Sequence, residues 1–367
     1  MTKLDLEKVN EAISDRSNVF YWQTDRNIKQ SDVAEIWSDR HSKFSDLELI
    51  QKVNNSLVDD ELIEIEPFNP DAPLSLGNIN SVRIGKLNNA GEVVIRCHPK
   101  GVVNGYFYAE TLASNELINH NLPGYKTFTI HDFESYVDFA FQVIQKLPGV
   151  PVQTWLQNNP GDEKKIMHEV GKTMALMNEI EVEGFGPFNN QLASKGLLFG
   201  MHTSFVDSLR ASVDSNLEVL VNKEILNMNQ SRAIDSLFSE ENILLGISKS
   251  VLVHNDFADW NQMTDGETIT GIIDLDEVIG GHPISDIACW STFFDPDRLD
   301  LLLEGYFSVL PRPDNFDELF ELLRLRYVVS KMTLRLRKSS WDDSQFLKDR
   351  INSGSKHLME SLRYFGI

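Results

Sequence analysis

Apolar and charged positions alternate at helical spacing through residues 1 to about 65, as in "DVAEIWSDR" and "DLELIQKVNNSL", and no glycine occurs before Gly77. Apolar residues that return every three to four positions form one stripe on a helix, so the spacing predicts a helical N-terminal extension over residues 1–70. The pattern changes near residue 70. "PLSLGNINSVRIGKLNNAGEVVIRCHPKG" carries proline, glycine and β-branched runs, which predict strands joined by a turn at "NNAG". "GYFYAETLASNELINH" has the spacing of a helix packed on that sheet. "SYVDFAFQVIQKLPGVPVQTWL" then predicts an apolar strand that stops at Pro148, where Gly149 and Pro151 mark a boundary between lobes.

From about residue 160 the pattern is mostly helical, with "KKIMHEVGKTMALMNEI" a clear amphipathic stretch broken later by "EGFGPF". Two short strand patterns, "SVLVH" and "TITGIID", bracket the polar run "HNDFADWN" at residues 254–261. A hairpin-like pairing of these strands would bring His254, Asp256, Asn261 and Asp274 together. The organisation is therefore α+β and two-lobed: a small lobe over residues 71–147 with an antiparallel sheet, and a larger, mostly helical lobe over residues 148–367.

Composition narrows the chemistry. With 55 acidic against 34 basic residues the formal charge is −21, which excludes a surface built to neutralise nucleic-acid phosphates. An acidic chain is compatible with a cationic small-molecule partner, and equally with charge that only maintains solubility. Charges run through the first twenty residues, so no export signal or membrane anchor is expected and the cytoplasm is the expected location. Two cysteines, Cys97 and Cys289, are too few for a disulfide framework or a thiolate zinc site.

Phosphoryl transfer needs a carboxylate to orient a hydroxyl and accept its proton, and oxygen ligands for the Mg²⁺ of a nucleotide. Asp256, Asn261 and Asp274 are of those types. "HNDFADWN" followed by "GIIDLDEVIGGHPISDIACW" resembles the catalytic and metal-binding segments of the aminoglycoside phosphotransferase family, relatives of the protein kinases. "VLVHNDF", "EGFGPF", "TSFVDSL" and the Arg-bearing "VVIR" resemble in particular the hygromycin B phosphotransferase group. The resemblance covers residues from about 70 to 300.

It implies a protein-kinase-like fold binding ATP or GTP with Mg²⁺, and transfer of the γ-phosphoryl group to a hydroxyl of an aminoglycoside or related amino sugar. Other small amino alcohols or sugars are the alternative acceptors. By resemblance Asp256 is the catalytic base, Asn261 and Asp274 hold Mg²⁺, His254 supports the loop, and Asp286 braces it. Arg96 replaces the usual phosphate-contacting lysine and pairs with Glu110. Gly77 lies in the phosphate-covering loop, and the backbone of Gln145 to Leu147 meets the adenine. Asp276 and Glu277, just past Asp274, would place a carboxylate at the cleft mouth for an acceptor ammonium.

Plainer roles stand beside these: a turn or helix cap for Asp256 and Asp274, a surface ion pair for Arg96 and Glu110, solvated turn residues for Asp276 and Glu277. His98, His120, His131 and His168 occur singly and read as structural or solvent-facing. Three positions depart from the family pattern: Arg96, His282 where it has Asp, and the glycine-poor "LSLGNINS". A different chemistry is also open, since His254, Asp256 and His282 could form a two-His-one-carboxylate iron site of an oxygenase.

Overall fold

A computed structural model describes residues 45–66, 80–97, 106–132, 140–211, 213–239, 241–294, 296–339 and 343–367. Helix α1 (Asp46–Ser56) begins at Ser45, whose Oγ accepts from the Glu48 amide at 3.2 Å. Strand β1 (Leu62–Ile65) follows as the edge of an antiparallel sheet ordered β1-β2-β3-β5-β4, with β2 Ser81–Leu87, β3 Gly91–Cys97, β4 Thr127–His131 and β5 Phe141–Gln145. Residues 62–65 thus depart from the expected helical lead-in. Leu62 and Ile65 suit a helical stripe by spacing, but pairing with β2 lets both enter the core under α1.

Period-two alternation gives the sheet two different faces. Val93, Ile95, Phe141 and Val143 pack with Leu49 and Val53 of α1. The opposite face carries Arg96 and, directly across from it on β5, Gln142. That face meets helix α2 (Phe107–Asn119), whose first turn is held by Asp132 Oδ2, accepting from the Phe107 amide at 3.1 Å, and by Asn190 Oδ1, accepting from the Ala109 amide at 2.9 Å.

The chain leaves the small lobe after Gln145 and turns at Gly149. Its φ is +94°, and a Cβ at this position would come within 2.4 Å of the Thr264 carbonyl oxygen, so only glycine fits without strain. Strand β6 (Val150–Pro151) then joins β11 (Gln262–Thr264), which pairs with β12 (Ile269–Ile272).

The large lobe contains α3 (Val152–Asn158), α4 (Glu163–Met177), β7 (Glu181–Val182), β8 (Phe185–Phe188), α5 (Asn190–Ala193), β9 (Gly200–His202), α6 (Phe205–Arg210), α7 (Val213–Asn222) and α8 (Met228–Leu237). Strands β10 (Ser250–Val253) and β13 (Ile279–Gly281) complete a sheet ordered β7-β10-β13-β8-β9. Helices α9 (Ser285–Trp290), α10 (Pro296–Tyr306), α11 (Phe316–Lys338) and α12 (Gln345–Phe365) pack around one large core that includes Trp290, Phe257 and Leu252. The expected pairing of "SVLVH" with "TITGIID" does not occur. β10 pairs with β7 and β13, and β12 with β11, because β12 and β11 are joined by the tight turn at Asp265 and Gly266 while β10 is enclosed on both edges. The architecture is a two-lobed, kinase-like α+β fold.

Candidate active site

The loop after β10 is built around one buried carboxylate. Asp286 of α9 accepts the His254 amide (3.0 Å) and Asn178 Nδ2 (3.1 Å) at Oδ2, and the Asn255 amide (2.8 Å) at Oδ1. Burial raises the Asp286 pKa, opposed by His254 and these donors. Asn255 has φ of +66°, a left-handed conformation costing about 1–2 kcal/mol outside glycine. Its carbonyl accepts from Cys289 Sγ (3.1 Å) and its Oδ1 from the Tyr327 hydroxyl (2.7 Å), which hold the turn from α9 and α11.

His254 is buried with both ring nitrogens engaged: Nε2 donates to the Ile273 carbonyl at 2.9 Å, and Nδ1 accepts from the Asp256 amide at 3.3 Å. The ring therefore supports the loop. This overturns the iron alternative, since His254 has no lone pair free for a metal and His282 Nδ1 accepts the Ile284 amide at 3.0 Å.

Asp256 follows with its side chain partly exposed. Asn261 Nδ2 donates to the Asp256 carbonyl (2.9 Å) and to its Oδ2 (3.1 Å), while Lys331 Nζ of α11 stands 3.5 Å from Oδ1. Both Asn261 contacts use its NH₂ group, which leaves Oδ1 as the atom suited to a hard cation. The Asn261 carbonyl accepts the Ile273 amide at 2.9 Å, so the chain entering Asp274 is tied to the same loop. Asp274 itself adopts φ of +62° and precedes a 3₁₀ turn over Leu275–Glu277, with its side chain 47 % exposed.

From the small lobe, Arg96 reaches across to this turn. Its Nη1 donates to Glu110 Oε2 and its Nη2 to Asp274 Oδ1 at 2.8 Å, with the guanidinium carbon 5.8 Å from the Phe107 ring centre. Burial works against the Arg96 charge, but Glu110 and Asp274 outweigh it and hold the guanidinium well above its usual pKa. Burial pushes the Glu110 carboxyl up to about 7 even beside Arg96. Oxygens of Glu110, Asp274 and Asp276 lie within 4.8 Å of one another.

Asp276 is buried beside that cluster, and burial with Asp274 and Glu110 nearby raises its pKa. It does not stand at the cleft mouth, because the 3₁₀ turn directs it inward. Glu277 is partly exposed. The Gln145 amide donates to the Lys126 carbonyl at 2.8 Å and is engaged within the sheet. Gly77 and His98 fall outside the described residues. His131 stacks on Phe141, and His120 and His168 face solvent on helices, away from this loop.

Lys331, Tyr327, Asn178 and Asn255 join the site without having been singled out from sequence. Tyr327 and Lys331 share a helix face at i,i+4 spacing, but "RLRYVVSKM" reads as an ordinary amphipathic stretch and carries no sign of what it faces.

Residues 72–321 match the phosphotransferase enzyme family. The chain belongs to that family. Solved structures share its fold. An aminoglycoside phosphotransferase APH(4)-Ia mutant, in a ternary complex with AMP-PNP and hygromycin B, is 17% identical with a TM-score of 0.56, covering 81% of this chain and 95% of that one. A provisionally assigned fructosamine-3-kinase from Thermobifida fusca YX-ER1 is 14% identical with a TM-score of 0.57, covering 85% and 98%. A provisionally assigned aminoglycoside phosphotransferase from Ralstonia eutropha JMP134 is 16% identical with a TM-score of 0.59, covering 88% and 98%. No curated protein matches the chain. Among the described residues no helix is long and apolar enough to cross a membrane.

Proposed function

We propose that this phosphotransferase uses ATP and Mg²⁺ to phosphorylate a hydroxyl of a small molecule, with Asp256 as the base. The observation that carries this is the Asp256–Asn261 contact, held on a loop braced by Asp286 and tied through Ile273 to Asp274. Asp256 orients the acceptor hydroxyl and takes its proton as the oxygen attacks the γ-phosphorus. Asn261 Oδ1 and the Asp274 carboxylate, both hard oxygen donors, would hold Mg²⁺, which when bound neutralises charge on the phosphates. Arg96 meets the phosphates, Glu110 positions Arg96, the loop of Gly77 covers the phosphates, and the backbone from Gln145 to Leu147 borders the adenine.

A structural neighbour bound to AMP-PNP and hygromycin B supports nucleotide use and a small hydroxylated acceptor. An amino sugar, as in the hygromycin B group, is the acceptor class the sequence resemblance favours, with Glu277 facing an ammonium. Incubating the purified protein with γ-labelled ATP, Mg²⁺ and panels of aminoglycosides, amino sugars and amino alcohols tests the activity. Label transfer that disappears in Asp256→Asn supports it, and a protein that binds no nucleotide sinks it.

A further inference from the structure

The side of α11 that meets the loop after β10 carries Lys331 and Arg335, of which only Lys331 has an acidic partner among the described residues, the Asp256 carboxylate. Lys331 Nζ lies 3.5 Å from Asp256 Oδ1 and 3.7 Å from the centre of the Phe293 ring. Phe293 packs edge-on against Trp260 at 5.1 Å, one residue before Asn261. Over Trp260 stands Arg350 of α12, its guanidinium carbon 6.0 Å from the ring centre. Arg335, one turn beyond Lys331, donates to the Arg350 carbonyl at 2.9 Å.

Among the described residues Arg335 and Arg350 have no carboxylate partner. Burial lowers the pKa of both, that of Arg335 to about 10 with Arg350 adding to the effect. A chain with 55 carboxylates could readily supply counter-charges, yet among the described residues Asp256 is the only carboxylate paired with Lys331, and Arg335 and Arg350 have none. Unpaired, partly desolvated cations are costly and mark sites where a ligand completes the charge balance.

We propose that the acceptor carries an anionic group, a carboxylate or a phosphate, close to the hydroxyl that is phosphorylated, and that Lys331 is the residue that meets it. This rests on the phosphotransferase assignment above and specifies its acceptor. Without acceptor, Lys331 leans on Asp256. When an anionic group arrives, the ammonium turns to it and leaves the Asp256 carboxylate to the hydroxyl, while Arg335 and Arg350 add to the attractive field. A purely cationic acceptor would instead bring an ammonium against Lys331. An amino group elsewhere on the same acceptor remains compatible with Glu277.

Calorimetry on the full chain saturated with AMP-PNP and Mg²⁺ tests this with matched sugars. D-gluconate and D-glucosaminate carry a carboxylate, glucosamine 6-phosphate carries a phosphate, and glucitol and glucosamine are their uncharged and cationic counterparts. The anionic probes are expected to bind at least about tenfold more tightly than their counterparts, less so as salt is added. The carboxylate and phosphate arms separate the two sources of charge. Lys331→Met should abolish the preference and Lys331→Arg should keep most of it. Equal binding of glucosamine or glucitol, binding by none of the probes, or a preference unchanged in Lys331→Met overturns the inference. So does a Lys331→Met loss of turnover equal for every acceptor, which would assign Lys331 to the transferred phosphoryl group. Nucleotide is titrated first, so that a failure to bind AMP-PNP counts against the phosphotransferase assignment and not against the acceptor class.

Discussion

Arg96 Nη2 donates to Asp274 Oδ1 at 2.8 Å while Nη1 of the same guanidinium binds Glu110, so one side chain joins β3 and α2 of the small lobe to the candidate metal ligand of the large lobe. A planar fork can serve two carboxylates at once, which a lysine ammonium does with poorer geometry. Arg96→Met leaves Glu110 buried without its counter-charge and should lower unfolding stability by about 3–5 kcal/mol in urea denaturation. Arg96→Lys should recover part of that loss and still raise the KM for ATP. A loss below about 1 kcal/mol in Arg96→Met would mean that the pair behaves like an exposed surface bridge.

Asp256→Asn preserves shape and the Asn261 contact to the backbone carbonyl but removes the proton acceptor. Turnover should fall by about 10² to 10⁴, with nucleotide affinity by calorimetry unchanged. A folded variant with near-normal turnover would remove Asp256 from the role of base.

Asp286 satisfies three donors, two of them the amides that open the loop after β10. Asp286→Ala should therefore cost about 3 kcal/mol or more. It should also depress turnover, because the left-handed Asn255 loses its brace. Asp286→Asn, which keeps one acceptor oxygen, should fall between. The measurement is denaturation and activity on the same preparations, and full activity in a destabilised Asp286→Ala would separate bracing from catalysis.

What could be read from the sequence divides along physical lines. The His254–Asn261 run was legible because costly polar groups follow an apolar strand, whereas the Arg96–Glu110 pair was expected only through the family resemblance; alternation then puts Arg96 on the face that the next helix covers. Strand pairing was not legible. β10 and β12 have only four residues each, and such short runs do not encode which edge they meet. The inward direction of Asp276 depends on a 3₁₀ turn of three residues, too short to have a period. Lys331 lies 75 positions from Asp256, and only the packing of α11 on α9 brings them together.

His282 offers a test of acid stability. Its ring is buried near Phe205, and Nδ1 accepts the Ile284 amide, a bond that a protonated imidazolium could not accept. Burial lowers its pKa from 6.5 to about 4. Between those values the unfolded chain binds a proton that the folded one refuses, so this group's contribution to stability is complete above pH 6.5 and is lost as pH falls toward 4. The expected size is about 3 kcal/mol. Glu110 acts in the opposite sense: its carboxyl, raised from 4.5 to about 7, holds its proton more tightly when folded, so its contribution favours the folded state at low pH and fades as pH rises through that window. The two partly cancel in the wild-type profile, and a substitution is needed to separate them. His282→Asn keeps a side-chain oxygen for the Ile284 amide and removes the titration. Stability of wild type minus variant, from urea curves at several pH values, should increase by about 3 kcal/mol between about pH 4 and pH 7. A difference that does not change with pH would mean that His282 titrates alike in the folded and unfolded chain.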